Sequence, residues 1–281
     1  MASTKIQIPT LLKKKCEGEK ITMITAYDYP TARILDESGV DTILVGDSLS
    51  NVVLGYEGTV PVTMDEMLHH IKAVTRAVKR AHVIGDMPFG SYNVSKEQAI
   101  INATRIFKEG GTDSIKLEGG ARVADSVEAI VRAGIPVVGH LGLTPQTSCM
   151  LGGFRVQGAT AEKAQEIIDD AKKLEDAGSF MIVLECIPSQ VAEAVAKSVS
   201  IPIIGIGAGN KTDGQVLVFH DLIGIESGYA PRFVKQYAKA ESIIKDAVKQ
   251  YIDEVTDSTF PGEDHSFSMK PEELDKLQKN R

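Results

Sequence analysis

Tryptophan is absent from the sequence, and the aromatics amount to only eight phenylalanines and seven tyrosines. A sizeable core must therefore be built from Ile, Val, Leu and Ala, within a hydrophobic share of 43% that is ordinary for a globular chain. Cysteine is scarce too: Cys16, Cys149 and Cys186 are odd in number and scattered, without metal-ligand spacing. That excludes a disulfide framework and leaves reduced thiols as the default. No apolar run approaches the ~20 residues needed to cross a bilayer. The first residues, Met-Ala-Ser-Thr-Lys, carry neither an apolar signal core nor an Arg-rich stretch, so a cytoplasmic protein is expected. Positive charge is not in excess either. A net charge of -7 argues against nucleic-acid binding through phosphates and against docking on an anionic membrane.

What the sequence does have is a repeated pattern of short apolar runs. They lie at Ile21–Thr25, Thr42–Gly46, His82–Asp86, Ser114–Glu118, Pro136–His140, Phe180–Glu185, Ile203–Ile206 and Leu222–Ile225. Most are continuous rather than alternating, as in a parallel sheet covered on both faces. Amphipathic stretches separate them. Thr63-Met-Asp-Glu66 and Ser95-Lys-Glu-Gln98 read as capping boxes, and Thr160 opens a longer helix ending near Gly178. Alternation carried to eight strands favours a closed (β/α)8 TIM barrel over an open doubly wound sheet.

The expected organisation is an N-terminal helical cover at 1–19, a catalytic barrel at 20–255 and a polar tail at 256–281. The last barrel helix is expected around Phe233–Ile252. Lys13-Lys-Lys15 reads as a solvated helix face. Gly205-Ile-Gly-Ala-Gly209 after the seventh strand fits tight strand-to-helix packing as well as an anion site, so no phosphate is inferred.

Polar residues close strand after strand, where barrel enzymes place their chemistry. Asp47 and Asp86 bring two carboxylates to one corner of the mouth, and such a pair needs a proton or a cation between its members. With no His or Cys at the pair, Mg²⁺ suits it better than Zn²⁺, and Glu118 is placed to hold a water of the ion. Both aspartates could instead cap the loops that follow. Lys116 faces the same rim, either to pair a substrate carboxylate or enolate oxygen or to form a structural ion pair with Asp86 or Glu118. Ser48 can donate to a bound carboxylate. Glu185 stands among Leu184, Cys186 and Ile187, where loss of water strengthens a carboxylate as a base toward a C–H beside a carbonyl. The alternative is a buried glutamate bonded to backbone donors. His140 reads equally as a donor to a ligand and as a satisfied core histidine.

Several stretches resemble the ketopantoate hydroxymethyltransferase family. They are Val45-Gly-Asp-Ser-Leu49, Gly85-Asp-Met-Pro-Phe89, Lys116-Leu-Glu-Gly-Gly120, Gly139-His-Leu-Gly-Leu-Thr-Pro-Gln146, Leu184-Glu-Cys-Ile-Pro188 and Gly214-Gln-Val-Leu-Val218. They occur in order from about Ile21 to about Gly262, while Gly58-Thr-Val60 departs from the family pattern in a loop. The resemblance implies a homodecameric barrel that binds Mg²⁺ through Asp47 and Asp86, with Glu118 completing the site. It places Asp47, Ser48, Asp86, Lys116 and His140 around the substrate and makes Glu185 the proton acceptor. The implied reaction carries a one-carbon unit from 5,10-methylenetetrahydrofolate to 3-methyl-2-oxobutanoate through a Mg-stabilised enolate. Its product is 2-dehydropantoate, for pantothenate synthesis. The phosphoenolpyruvate mutase and isocitrate lyase group is the nearest other enzyme reading. Its lyase branch carries a reactive cysteine on a loop within the barrel, whereas Lys14-Lys-Cys16 precedes the first strand.

Overall fold

Eight parallel strands close on themselves in sequence order, each hydrogen-bonded to its neighbours and the last to the first. They are β1 (Ile21–Thr25), β2 (Thr42–Val45), β3 (His82–Asp86), β4 (Ser114–Glu118), β5 (Val137–Gly142), β6 (Met181–Glu185), β7 (Ile203–Ile206) and β8 (Gly214–Leu217). The coordinates are a computed structural model that describes residues 4–225 and 231–279. Two compact units are present. The barrel comprises residues 4–222 with 231–235, and a C-terminal helical unit comprises 223–225 with 236–279.

Two expectations about the C-terminal third need correction. The apolar stretch Leu222–Ile225 is not a strand; β8 lies earlier, and Phe219–Ile223 is a short helix. The strand escapes notice because Gln215 on its outer face is exposed, which gives it a half-polar pattern. The long helix expected around Phe233–Ile252 runs instead from Ala240 to Thr256.

Period-two alternation sorts the strands into two faces. Residues such as Val83, Ile115, Val137 and Ile182 point outward and pack under the helices, while Leu44, Ile84, Val138, Met181 and Val183 fill the barrel. The covering helices form where the apolar spacing requires. Met64–Ala77 starts at a complete Thr63–Glu66 capping box and buries Met67, Leu68, Ile71 and Val74 against the sheet. Gly85 permits that approach, since a Cβ there would come within 2.7 Å of Ile106 Cγ2 and 3.0 Å of Ile71 Cδ1.

The N-terminal helix Ile8–Glu17 inserts Leu11 into the inner core alongside Ile21 and Met23. Here the reading of Lys13-Lys-Lys15 as a solvated face is wrong for two of the three residues. Lys14 Nζ pairs with Asp41 at 2.8 Å, and Lys15 Nζ pairs with Asp213 at 3.0 Å. Lys5 Nζ completes the set with Asp113 at 2.7 Å. Each of these aspartates stands just before a strand and accepts the backbone N–H of the preceding one, at Thr22, Val83 and Ile203. Successive helical residues are ~100° apart, so one lysine of three faces water while its neighbours reach the strand starts.

Candidate active site

Inward positions on β3 to β6 alternate down to the mouth. His82, Ile84 and Asp86 face in from β3, and Ser114, Lys116 and Glu118 from β4. Val138 and His140 face in from β5, and Met181, Val183 and Glu185 from β6. The pairing register sets Asp86 beside Lys116 and Glu118 beside His140. The sheet itself therefore gathers these ionisable groups at one end. Gly142 lets the ends of β5 and β6 meet: its φ is +90°, and a Cβ there would lie 2.2 Å from Glu185 O.

The groups form a connected chain. Asp47 N–H donates to Asp86 Oδ2 at 3.0 Å, which joins the two carboxylate positions. Asp86 Oδ1 lies 3.1 Å from Lys116 Nζ, and Lys116 Nζ lies 3.2 Å from His140 Nδ1. The same ring nitrogen is 3.3 Å from Glu118 Oε1, while His140 Nε2 is 3.2 Å from Glu185 Oε2. Asp86 Oδ1, Glu118 Oε1 and His140 Nε2 are at ion-pair distance, yet none is aligned as a hydrogen bond. Ser48 Oγ shares a hydrogen bond of 2.8 Å with Tyr27 Oη.

All of the sequence-derived positions are thus at one end of the barrel. Two expectations about their surroundings change. Glu185 does not stand alone in an apolar pocket, because the His140 imidazole faces it. His140 is neither a detached core histidine nor an isolated donor; it sits between two carboxylates and an ammonium.

Burial shapes the electrostatics. It pushes the Asp47 carboxyl up to about 8, and the nearby Glu118 and Asp86 charges add to the effect. Burial likewise raises Asp86 despite the opposing Lys116 charge. For His140, burial and Lys116 favour the neutral ring, but Glu118 and Glu185 outweigh them and hold it up at about 9. Lys116 is also raised, its burial outweighed by Asp86, Glu118 and Asp47. Burial opposes ionisation of Glu118, yet His140 and Lys116 bring it below the usual carboxylate range. At neutral pH an ammonium and an imidazolium thus face the carboxyl groups of Asp47, Asp86, Glu118 and Glu185. Full ionisation of those four would leave two negative charges in excess.

Sequence reasoning missed two residues that tie this arrangement together. Gln146 Nε2 donates to Asp47 Oδ2 at 2.9 Å, and its backbone N–H donates to Glu118 Oε2 at 3.0 Å. Tyr92 Oη donates to Gln146 Oε1 and accepts the Glu118 N–H at 3.2 Å. An uncharged amide in a short 3-10 segment carries no sequence periodicity. The available signal was a polar side chain directly after Pro145 in a strand-end stretch otherwise made of Gly, Leu and Thr. Among the described residues, no group of three or more His, Cys, Asp or Glu side chains forms a ready-made metal cage. Cys16, the residue closest in appearance to a lyase cysteine, lies on the N-terminal helix among the lysines that bind the strand starts, away from these groups.

A family model described as ketopantoate hydroxymethyltransferase matches residues 5–263. A relative from Thermoanaerobacter sp. (strain X514), named 3-methyl-2-oxobutanoate hydroxymethyltransferase, is 57% identical over 96% of this chain and 98% of its own length. One of the same name from Clostridium novyi (strain NT) is 54% identical over 96% and 98%. Among solved structures, a phosphonopyruvate hydrolase complex with oxalate and Mg²⁺ aligns with a TM-score of 0.61 at 13% identity. That alignment covers 99% of this chain and 95% of the other. At such low identity the likeness is one of fold.

Proposed function

Because the chain belongs to the ketopantoate hydroxymethyltransferase family, we propose that it transfers a hydroxymethyl group from 5,10-methylenetetrahydrofolate to 3-methyl-2-oxobutanoate. The methylene carbon leaves the folate nitrogens and water supplies the hydroxyl oxygen, so the products are tetrahydrofolate and 2-dehydropantoate, the latter on the route to pantothenate and coenzyme A. The observation that carries the reading is the 57% identity to a named relative along nearly the whole of both chains. The buried, connected groups on β3 to β6 supply chemistry that such a reaction needs.

The donor set fits a hard divalent cation. Asp86 Oδ1 and Glu118 Oε1 are buried oxygens without an aligned donor, and a cation beside Asp47 and Asp86 would offset the burial that favours their protonated forms. Asp47 and Asp86 would hold Mg²⁺ directly, with Glu118 acting through water, in keeping with an ion that retains several waters and uses one or two carboxylates. When bound, the ion supplies Lewis acidity toward the keto and carboxylate oxygens of a 2-oxo acid, which makes the neighbouring C–H easier to ionise.

The chain's own groups do the rest. Glu185 takes the proton from C3 of the 2-oxo acid, held in place by the His140 imidazolium. The Lys116 ammonium, kept protonated by its carboxylate neighbours, faces the negative charge that develops on the substrate oxygen. Ser48, oriented by Tyr27, binds the substrate carboxylate. Holding the enolate carbon beside the donor's methylene group turns an encounter of two solutes into a reaction within one complex.

The test is to incubate the purified chain with Mg²⁺, 3-methyl-2-oxobutanoate and 5,10-methylenetetrahydrofolate and to follow 2-dehydropantoate by mass spectrometry. Product that depends on all three additions is expected. No product, with both small molecules consumed only at the uncatalysed rate, would overturn the reading.

A further inference from the structure

Gln146 is buried to 3% exposure in the 3-10 helical segment Pro145–Leu151 that follows β5, and the chemistry proposed above does not use it. Its polar atoms are nonetheless engaged on all sides. Nε2 donates to Asp47 Oδ2 at 2.9 Å and to Met87 O at 3.0 Å; Oε1 accepts from Tyr92; the backbone N–H reaches Glu118 Oε2 at 3.0 Å. The amide orientation follows from these partners. A carboxylate and a carbonyl can only accept, so the NH₂ end must face them. Tyr92 Oη already receives the Glu118 N–H, which leaves its own proton for Gln146 Oε1.

One oxygen on each of Asp47, Asp86 and Glu118 is thereby occupied by a donor. Two of those three donors come from Gln146, which reaches both the carboxylate that follows β2 and the one that ends β4. Such contacts fix the rotamer of a metal-binding carboxylate and decide which oxygen remains for the ion.

We propose that Gln146 is a positioning residue that, locked by Tyr92, orients Asp47 and Glu118 for a divalent cation. The inference rests on reading the acidic cluster as the cation site. A purely structural Gln146 would hold Met87 O and Tyr92 in place and leave cation affinity alone.

The test measures Mn²⁺ binding to the full chain without substrate, by the electron paramagnetic resonance signal of the free ion, together with melting temperature. Gln146→Met keeps length and removes the donor, Gln146→Glu sets a carboxylate against Asp47, and Tyr92→Phe removes the lock together with the acceptor of the Glu118 N–H. Mn²⁺ affinity should fall about 10- to 100-fold in Gln146→Met, at least as far in Gln146→Glu, and about 3- to 10-fold in Tyr92→Phe. A folded Gln146→Met chain that binds Mn²⁺ within twofold of the parent overturns the proposal. Should that variant fail to fold, unchanged affinity in Tyr92→Phe overturns it equally. Asp47→Asn separates the two levels: if it too leaves Mn²⁺ binding unchanged, the cation reading of the cluster itself has failed, and the proposal with it.

Discussion

His140 Nε2 stands 3.2 Å from Glu185 Oε2, so the group proposed to accept the substrate proton is held by a buried imidazole. Through Nδ1 the same ring lies 3.3 Å from Glu118 and 3.2 Å from Lys116. One side chain thus links the base on β6 to the acidic cluster on β3 and β4. A change at the ring should reach both the rate of proton removal and its dependence on pH.

In the parent enzyme kcat should fall as pH rises through about 9, where His140 loses the charge that its carboxylate neighbours sustain. His140→Gln should lower kcat by at least about tenfold, about 1.4 kcal/mol of barrier, and abolish this alkaline limb. A variant that keeps both the parent kcat and the limb would remove His140 from the account. Steady-state rates between pH 6 and about 10 decide it.

At the other end of the barrel, His82 Nε2 bonds Ser114 Oγ at 2.9 Å, and burial depresses the ring to about 4. A depressed folded-state value means that the unfolded chain binds the proton more readily. Stability is then complete above the unfolded value near 6.5 and is lost as pH falls toward about 4. Urea unfolding should show a loss of about 3 kcal/mol across that window, with a flatter dependence in His82→Gln. Equal slopes in the two proteins would contradict the assignment.

The N-terminal lysines should differ sharply despite their adjacency. Lys15 Nζ reaches Ala196 O, Ile201 O and Asp213 at 3.0, 2.7 and 3.0 Å, and its side chain is 12% exposed. Lys13 is 69% exposed and lies 3.6 Å from Glu17. Lys15→Met should cost about 2 kcal/mol in chemical unfolding, because it strands a carboxylate and two carbonyls. Lys13→Met should stay within about 0.5 kcal/mol. Neither should change kcat, since both lie at the end of the barrel opposite the site.

The helix Ala240–Thr256 exposes Ile243, Ile244, Val248, Tyr251 and Ile252, an apolar surface that supports self-association. We propose the homodecamer that the family resemblance implies. Sedimentation equilibrium should then return ten times the 30.3 kDa of one chain. Ile244→Asp with Val248→Asp should dissociate it, and a parent protein that sediments at 30.3 kDa would contradict it.

Much of this was legible in the sequence, for a physical reason. In a barrel covered on both faces, strands are continuous apolar runs, and a charge at the end of one stands out. Asp86, Lys116, Glu118, His140 and Glu185 are visible on that ground alone. Asp47 needs one step more, since it follows β2 rather than ending it. Gln146 and Tyr92 were not legible, because an uncharged donor reveals its importance only when its partners converge. The eighth strand was misplaced because its outer face is partly wet. Lys14 and Lys15 were misread because composition describes a charge run, whereas helical geometry assigns each member its own direction.

The reaction proposed for this site turns on removal of the C3 proton of the 2-oxo acid by Glu185. Its most direct test follows that proton by NMR in D₂O, with Mg²⁺ and 3-methyl-2-oxobutanoate present and folate omitted. The parent should exchange C3–H for deuterium, while Glu185→Gln should be slower by at least about 100-fold and still bind Mn²⁺ as the parent does. Exchange in Glu185→Gln at the parent's rate would contradict the account.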